Sequence, residues 1–297
     1  MNTVETPKVL IIGAEGYVGS AVYTEISKHY KTTGIDLNHF NETNFPEFDV
    51  IINLAAHSSV ALCELFPDSA VYNNLTRIEA ILRRLSPKQY LIHASSASVY
   101  GIGYSESKES DSLPPPSNLY DETKMGADKL IVSNIESGKR VASLRFGTVS
   151  GLSTTTRVDL VMNAMVLSAK NSGEISVMNP ELRRNLLFID DLTEAILRLV
   201  SSNAFGVFNL GSINLTIGSL ANSISRIYPS QVKIIQNEVS SPFDFHLNTS
   251  KIQHVIGNYR VTTLSKTISE LWEGLDESSY SRANMYGPHP MLGLRFR

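Results

Sequence analysis

The chain has 297 residues, 42% of them apolar, and a formal net charge of −3 from 26 basic and 29 acidic side chains. That length can bury a sizeable core as one large domain or two coupled ones. The charge balance leaves no excess to neutralise nucleic-acid phosphates or an acidic membrane surface. The one cysteine, Cys63, excludes an intramolecular disulfide and any CxxC metal or redox motif. Its setting, VALCE, holds no activating group, so it reads as a packed structural residue. MNTVETPK lacks an apolar signal core, and no run of about 18 apolar residues occurs, so a soluble, cytoplasmic protein is expected.

KVLIIG (8–13) is a short apolar run closed by glycine, the pattern of a strand buried on both faces. Val18, Ala21, Val22 and Ile26 then recur at helical spacing between Tyr17 and Tyr30, which predicts a helix covering a sheet. TTGID (32–36), DVIINLAA (49–56), YLIHASS (90–96) and RVASLRFG (140–147) are the next strand candidates, with helical patterns around 69–85 and 118–137. Strands alternating with helices predict an α/β fold with a doubly wound, Rossmann-type parallel sheet. Ligands of such sheets bind beyond the carboxyl ends of the strands. The polar, proline-rich SESKESDSLPPPSN (105–118) reads as a surface loop bordering that site. Past about residue 150 the alternation weakens. A helix around 158–170, the segment NLLFIDDLTEAILRLV (185–200), a strand GVFNLG (206–211) and a helix around 216–228 suggest a smaller mixed α/β region. The tail 279–297 has no usable period, and both disorder and docking are compatible with it.

GAEGYVG places Gly13, Gly16 and Gly19 between the first strand and the first helix. Glycine permits the tight turn, lets backbone approach a pyrophosphate, and allows close packing of helix on strand. Asp36 ends the second strand, where a carboxylate accepts hydrogen bonds from an adenine ribose. Its negative charge opposes a 2′-phosphate, so NAD is favoured over NADP; capping of the loop at Asn38 is the alternative reading of Asp36.

Tyr120 and Lys124 in YDETK are four residues apart and share a helix face. A neighbouring ammonium and a positive nicotinamide favour phenolate, which would make Tyr120 a base near neutral pH. Ser96, at the end of the fourth strand, is placed to hydrogen-bond the same substrate oxygen. That is acid–base equipment for moving a proton while hydride passes to or from nicotinamide. Asp121 and Glu122 are expected to face solvent. His57 and His93 have no carboxylate spaced with them as a ligand set, so no metal is expected. Asp190 and Asp191 are expected to cap the helix that follows them.

With these motifs in order the sequence resembles the extended short-chain dehydrogenase/reductases that act on nucleotide sugars, the epimerase and dehydratase group. The resemblance runs over about 8–275, through GAEGYVG, NLAAHSS (53–59), NNL (73–75), SSASVYG (95–101), YDETK, LRFGTVSG (144–151), RRNLLFIDDL (183–192) and FNLGS (208–212). It implies a Ser96, Tyr120, Lys124 triad and an NAD-binding domain over 1–150 to which 185–212 returns. It also implies a smaller substrate region over 151–184 and 213–278, apart from the tail. Further NAD contacts are implied for Tyr17, Val18, Leu37, Leu54, Ala55, Ala56, Asn74 and Phe146, and nucleotide-sugar contacts for Ser96, Thr148, Asn163 and Arg184.

Two positions narrow the chemistry. Members that dehydrate have Asp-Glu after the serine; here Ala97 and Ser98 stand there as inert residues, which disfavours 4,6-dehydration. Many epimerases carry a second diphosphate-binding arginine where this chain reads SSPFD (240–244), leaving Arg157, His246 or a tail arginine as candidate substitutes. The resemblance therefore implies an NAD-dependent nucleotide-sugar epimerase acting at C4 through a 4-keto sugar. The same parts would serve a C4 oxidase or 4-ketoreductase. A rival from another class is a silent NAD-binding regulatory protein, against which retention of serine, tyrosine and lysine speaks. A homodimer through the helices at 69–85 and 118–137 is implied as well.

Overall fold

The computed structural model describes residues 6–103, 105–235 and 243–276. The tail 279–297 and residues 240–242 of the SSPFD stretch lie outside the described residues. The first strand, β1 (Lys8–Ile12), buries Val9, Leu10, Ile11 and Ile12 completely, as its unbroken apolar run requires. Each such side chain contributes about 1.5–3 kcal/mol of burial. It pairs in parallel with β2 (Lys31–Ile35) on one side and β3 (Val50–Asn53) on the other. Beyond β3 follow β4 (Tyr90–Ser96), β5 (Arg140–Phe146) and β9 (Gly206–Leu210), giving one parallel sheet in the order β2-β1-β3-β4-β5-β9. The chain reverses direction across the sheet between β2 and β3, so a crevice opens at the carboxyl ends of β1 and β3.

Helices cover both faces. α1 (Tyr17–Ile26) turns Val22 and Ile26 inward and packs beside α7 (Ile189–Ser202) and α9 (Ser250–Ile256) on one face. On the other lie α2 (Val60–Leu65), α3 (Pro67–Val71), α4 (Arg77–Arg84) and α5 (Leu119–Glu136). The pattern at 69–85 is not one continuous helix. Residues Tyr72–Thr76 form a π-helical turn between α3 and α4 that buries Asn73 and Asn74. A widened turn of this kind rotates its side chains out of the regular face. Between Asp36 and β3 there are two 3-10 turns and no strand, which leaves β2 at the edge.

The second unit holds β6 (Thr148–Ser150), α6 (Val161–Ser172), β7 (Glu174–Val177), β8 (Arg183–Phe188), β10 (Ile213–Thr216), α8 (Ile217–Ile227), β11 (Gln231–Ile234) and α10 (Leu264–Gly274). β8 lies between β10 and β6, and β7 pairs with β11. A separate core of Met162, Met165, Val166, Leu220, Ile224 and Leu271 holds it together. Within 185–212 only α7 and β9 join the large sheet, because residues up to Phe188 pair with the small one.

Two further expectations change. Asp190 and Asp191 do not cap α7, whose N-cap is Phe188. Asp191, fully buried, instead accepts from Ser212 Oγ at 2.5 Å and from the Val261 and Thr262 amides at 2.7 and 3.1 Å, fastening the chain after α9 to the start of β10. The loop 105–118 does not reach the crevice. It is pinned elsewhere: Asn209 donates to the Ser107 carbonyl at 3.0 Å, the Asn209 amide donates to Glu109 at 2.7 Å, and Ser107 bridges to Leu247.

Candidate active site

A cavity of about 620 Å³ occupies the crevice at the carboxyl ends of β1, β3, β4 and β5 and is closed by the second unit. At its floor the three glycines differ in what requires them. A Cβ on Gly19 would lie 1.7 Å from the Gly13 carbonyl oxygen, so helix-on-strand packing demands that glycine. Gly13 has φ +88°, and its Cβ would come within 2.7 Å of the Ala55 amide. Gly16 meets no such obstacle: its nearest atom is 3.4 Å away. Nothing among the described residues requires Gly16 to lack a side chain, and its bare backbone lines the cavity at the start of α1, as close approach of a diphosphate requires. Tyr17, Val18, Leu37, Leu54, Ala55, Ala56 and Phe146 line the same space. Asp36 stands at its edge, where Oδ1 accepts from the Leu37 amide at 2.9 Å and Oδ2 from the Glu15 amide at 3.3 Å. It therefore caps the turn and also faces the cavity.

Ser96, Tyr120 and Lys124 converge on one wall. The strand end of β4 presents Ser96, and the first turns of α5 present the other two. The Asn118 side chain starts that helix by accepting from the Asp121 amide at 2.9 Å. Ser96 Oγ is a hydrogen-bonding neighbour of the Tyr120 phenol. Lys124 Nζ donates to the Ala94 carbonyl at 3.1 Å and lies 5.9 Å from the Tyr120 ring centre. Burial lowers the Lys124 pKa to about 8, with Asp128, one turn along, opposing the shift. Tyr120 departs from expectation: burial raises its pKa to about 12, with Ser96 and Arg157 pulling the other way. In the protein alone, desolvation of the phenolate outweighs the nearby cations.

Asp128 is itself held by Ser143 Oγ at 2.9 Å and Arg145 Nε at 2.8 Å. Arg145 continues to the Tyr100 hydroxyl, which donates to Asn209. This buried ion pair and its hydrogen bonds fix the face of α5 that carries Lys124.

The second unit supplies Thr148, Arg157, Asp159, Met178, Arg184, Phe243 and other residues of the opposite wall. Arg157 makes a two-pronged pair with Asp159 at 3.0 and 2.5 Å and donates to the Ser58 carbonyl and hydroxyl at 3.2 and 2.8 Å, so it also bridges the two units. Arg184 donates to the Arg183 carbonyl at 2.8 Å and to the Phe243 carbonyl, and burial lowers its pKa to about 10. His246 is not at the cavity; it is within 3.3 Å of the Leu215 carbonyl.

Two residues expected at the ligand lie behind the wall instead. Asn74 accepts from the His57 amide at 2.7 Å and donates to the His57 carbonyl and to Thr123 Oγ1, tying the loop after β3 to α5. Asn163, fully buried, donates to the Tyr17 hydroxyl at 3.2 Å and the Arg157 carbonyl at 2.8 Å, supporting two lining residues. Asp121 is not solvent-facing: it is 2% exposed, while Glu122 is exposed. Ser98, too, is no bystander, since Ser96 Oγ donates to Ser98 Oγ at 3.0 Å. Ser58, Met178 and Phe243 were not anticipated; the NLAAHSS motif signals the first, whereas the others arrive through tertiary folding. Cys63 is buried, with its thiol raised to about 11 by desolvation, which fits a structural role. Among the described residues no three His, Cys, Asp or Glu converge as a metal set, and no helix is long and apolar enough to cross a membrane.

Residues 9–211 match the model of the NAD-dependent epimerase/dehydratase family. The chain belongs to that family. A UDP-glucose 4-epimerase of Lactobacillus helveticus is 24% identical over 271 residues, covering 74% of this chain and 82% of the relative. The fold matches a UDP-glucuronic acid 4-epimerase of Bacillus cereus in complex with UDP-glucuronic acid and NAD, with a TM-score of 0.76 at 20% identity over 90% of this chain and 98% of the other. It also matches an NAD-dependent NDP-hexosamine 5,6-dehydratase of tunicamycin biosynthesis, with a TM-score of 0.80 at 19% identity over 92% and 99%. This family member is an NAD-dependent enzyme, and its glycine floor with the open Gly16 fits the dinucleotide.

Proposed function

We propose that this member of the family epimerises a nucleotide sugar at C4 through a transient 4-keto sugar. The observation that carries the reading is the convergence of Ser96, Tyr120 and Lys124 on one cavity with the glycine floor, opposite Thr148 and Arg184 of the second unit. Bound NAD supplies the acceptor and donor of the hydride. Tyr120 takes the proton of the C4 hydroxyl and later returns it. Ser96 orients the oxygen, and Lys124, positive below about pH 8, holds the cofactor ribose and favours negative charge on Tyr120. Gly13, Gly16 and Gly19 seat the cofactor diphosphate, Asp36 accepts from the adenine ribose, and Thr148 and Arg184 hold the substrate. The two epimerases named above carry uridine diphosphate sugars in their names, which makes UDP-hexoses and UDP-hexuronates the first candidates. We also propose a homodimer, formed through the helices of 69–85 (the end of α3, with α4) and α5.

The test is incubation of the purified protein with UDP-, GDP-, dTDP- and CDP-sugars while the nicotinamide absorbance is followed. Isomerisation without net cofactor turnover is the expected result. Stoichiometric change of the nicotinamide would make it an oxidoreductase instead, and no change in any sugar would overturn the enzyme mechanism. In Tyr120→Phe, turnover should fall by about 10²–10⁴ with cofactor still bound.

A further inference from the structure

The residue after the reactive tyrosine is a buried carboxylate, and hydroxyl groups lead to it from the tyrosine itself. Ser96 is the hydrogen-bonding neighbour of the Tyr120 phenol. Ser96 Oγ donates to Ser98 Oγ at 3.0 Å. Ser98 in turn lies beside the Asp121 carboxylate as its hydrogen-bonding neighbour. Helix capping accounts for half of this carboxylate: Asn118 Nδ2 donates to Oδ2 at 2.7 Å. Oδ1 is buried and, among the described residues, has no partner of ordinary hydrogen-bond geometry, although Ser98 and the Ser117 backbone stand beside the carboxylate. A buried carboxylate oxygen so weakly hydrogen-bonded is costly, and a proton on it relieves that cost.

We propose that Asp121, reached through Ser96 and Ser98, accepts and holds the proton that leaves the sugar hydroxyl while the substrate is a ketone. The proposal rests on the epimerase reading above. In the forward step the sugar O–H bond breaks and Tyr120 takes its proton while passing its own to Ser96. Ser96 passes one to Ser98, and Ser98 passes one to Asp121 Oδ1. The hydride from the same carbon is the electron pair that the cofactor accepts, so the alcohol becomes a ketone and the carboxylate a carboxylic acid. The return step runs the same bonds backwards, and no proton is gained or lost over the cycle.

Such a chain removes a difficulty in the site. A phenol with a pKa near 12 is a poor source of free phenolate at neutral pH, but a relay lets neutral Tyr120 receive one proton as it gives up another. Burial raises the Asp121 pKa above its ordinary value, the direction its task requires. The other charged or titratable groups around the pair are Lys124 on α5, Cys63 on α2 and Arg157 before α6. Asp121, at 2% exposure, is shut from bulk water, so the stored proton is kept for the return. Asp121 does not line the cavity, as Ser96 and Ser98 do, and acts through the two serines.

The test has two arms. In the cofactor-free protein, the phenolate absorbance of wild type minus that of Tyr120→Phe reports the Tyr120 midpoint. Asp121→Asn should lower this midpoint by about half a unit or more, and that shift should shrink when Ser98→Ala is already present. An equal shift in both backgrounds, or none, would overturn the relay, leaving Asp121 a helix cap. In single-turnover reactions Ser98→Ala should slow sugar oxidation about tenfold or more, and Ser98→Thr should restore it to within about threefold. Wild-type rates in both Ser98→Ala and Asp121→Asn would also overturn it. Because the first arm needs no sugar, a failure of the epimerase reading leaves it intact.

Discussion

At the scale of single residues the glycine floor separates folding from ligand binding. Gly16→Ala has room for its methyl group, so its melting temperature should stay near wild type while NAD affinity drops about tenfold, measurable by calorimetry. Gly19→Ala drives a Cβ into the Gly13 carbonyl and should lower the melting temperature sharply. Lys124 shows the opposite trade. Its folded pKa near 8 lies below the ordinary value of 10.5, so the folded protein holds a charge that burial penalises. The unfolded chain binds more protons between those values, and the penalty fades as pH rises through them. Lys124→Met should therefore stabilise the cofactor-free protein by about 1–3 kcal/mol at pH 7, in a denaturant titration, while abolishing turnover. Loss of stability in that variant would mean that the bond to the Ala94 carbonyl outweighs desolvation.

Among the elements, α5 does most to build the site. Its first turn is set by the Asn118 cap, its cavity face carries Tyr120 and Lys124, and its inner face carries Asp128 in the network to Arg145. The neighbouring end of α3 leaves Val71 and Tyr72 exposed, as α5 leaves Val132, and all three are 38–49% accessible. Apolar groups gathered on adjacent helices are the surface the proposed dimer would cover. Val132→Lys should then reduce the sedimenting mass of the protein from twice the chain mass towards that of one chain. A wild-type protein that sediments as a single chain would remove the dimer.

Across the whole molecule, the two units are joined by polar struts as much as by apolar packing. Arg157 grips Ser58, and the Tyr17 hydroxyl donates to the Gly151 carbonyl at 2.8 Å. The large sheet also buries His93, whose Nδ1 is 3.1 Å from Asn53 Nδ2 and whose Nε2 has no partner among the described residues. Burial, helped by Lys124, lowers its pKa from 6.5 to about 3. Between these values the unfolded chain binds a proton that the folded protein refuses, so stability falls as pH drops from about 6.5 towards 3. At pH 5 the loss from this group is about 2 kcal/mol. His93→Gln should flatten that part of the stability curve, as followed by thermal unfolding at several pH values.

The sequence by itself determined the parallel sheet, since an apolar run ended by glycine has few other homes. It also determined the glycine floor, Asp36, Ser96, Tyr120 and Lys124, because spacing along a strand end or a helix turn is local geometry. Tertiary structure decided whatever depends on the direction of a side chain across the chain fold. The π-helical turn rotated Asn74 behind the wall, and Asn163 turned to support Tyr17 from across the two units. Asp121, polar and next to Tyr120, reads from sequence as a solvated neighbour. Only the approach of the 3-10 turn after β4, with Ser98 on it, closes water away from Asp121 and brings it within reach of the proposed relay.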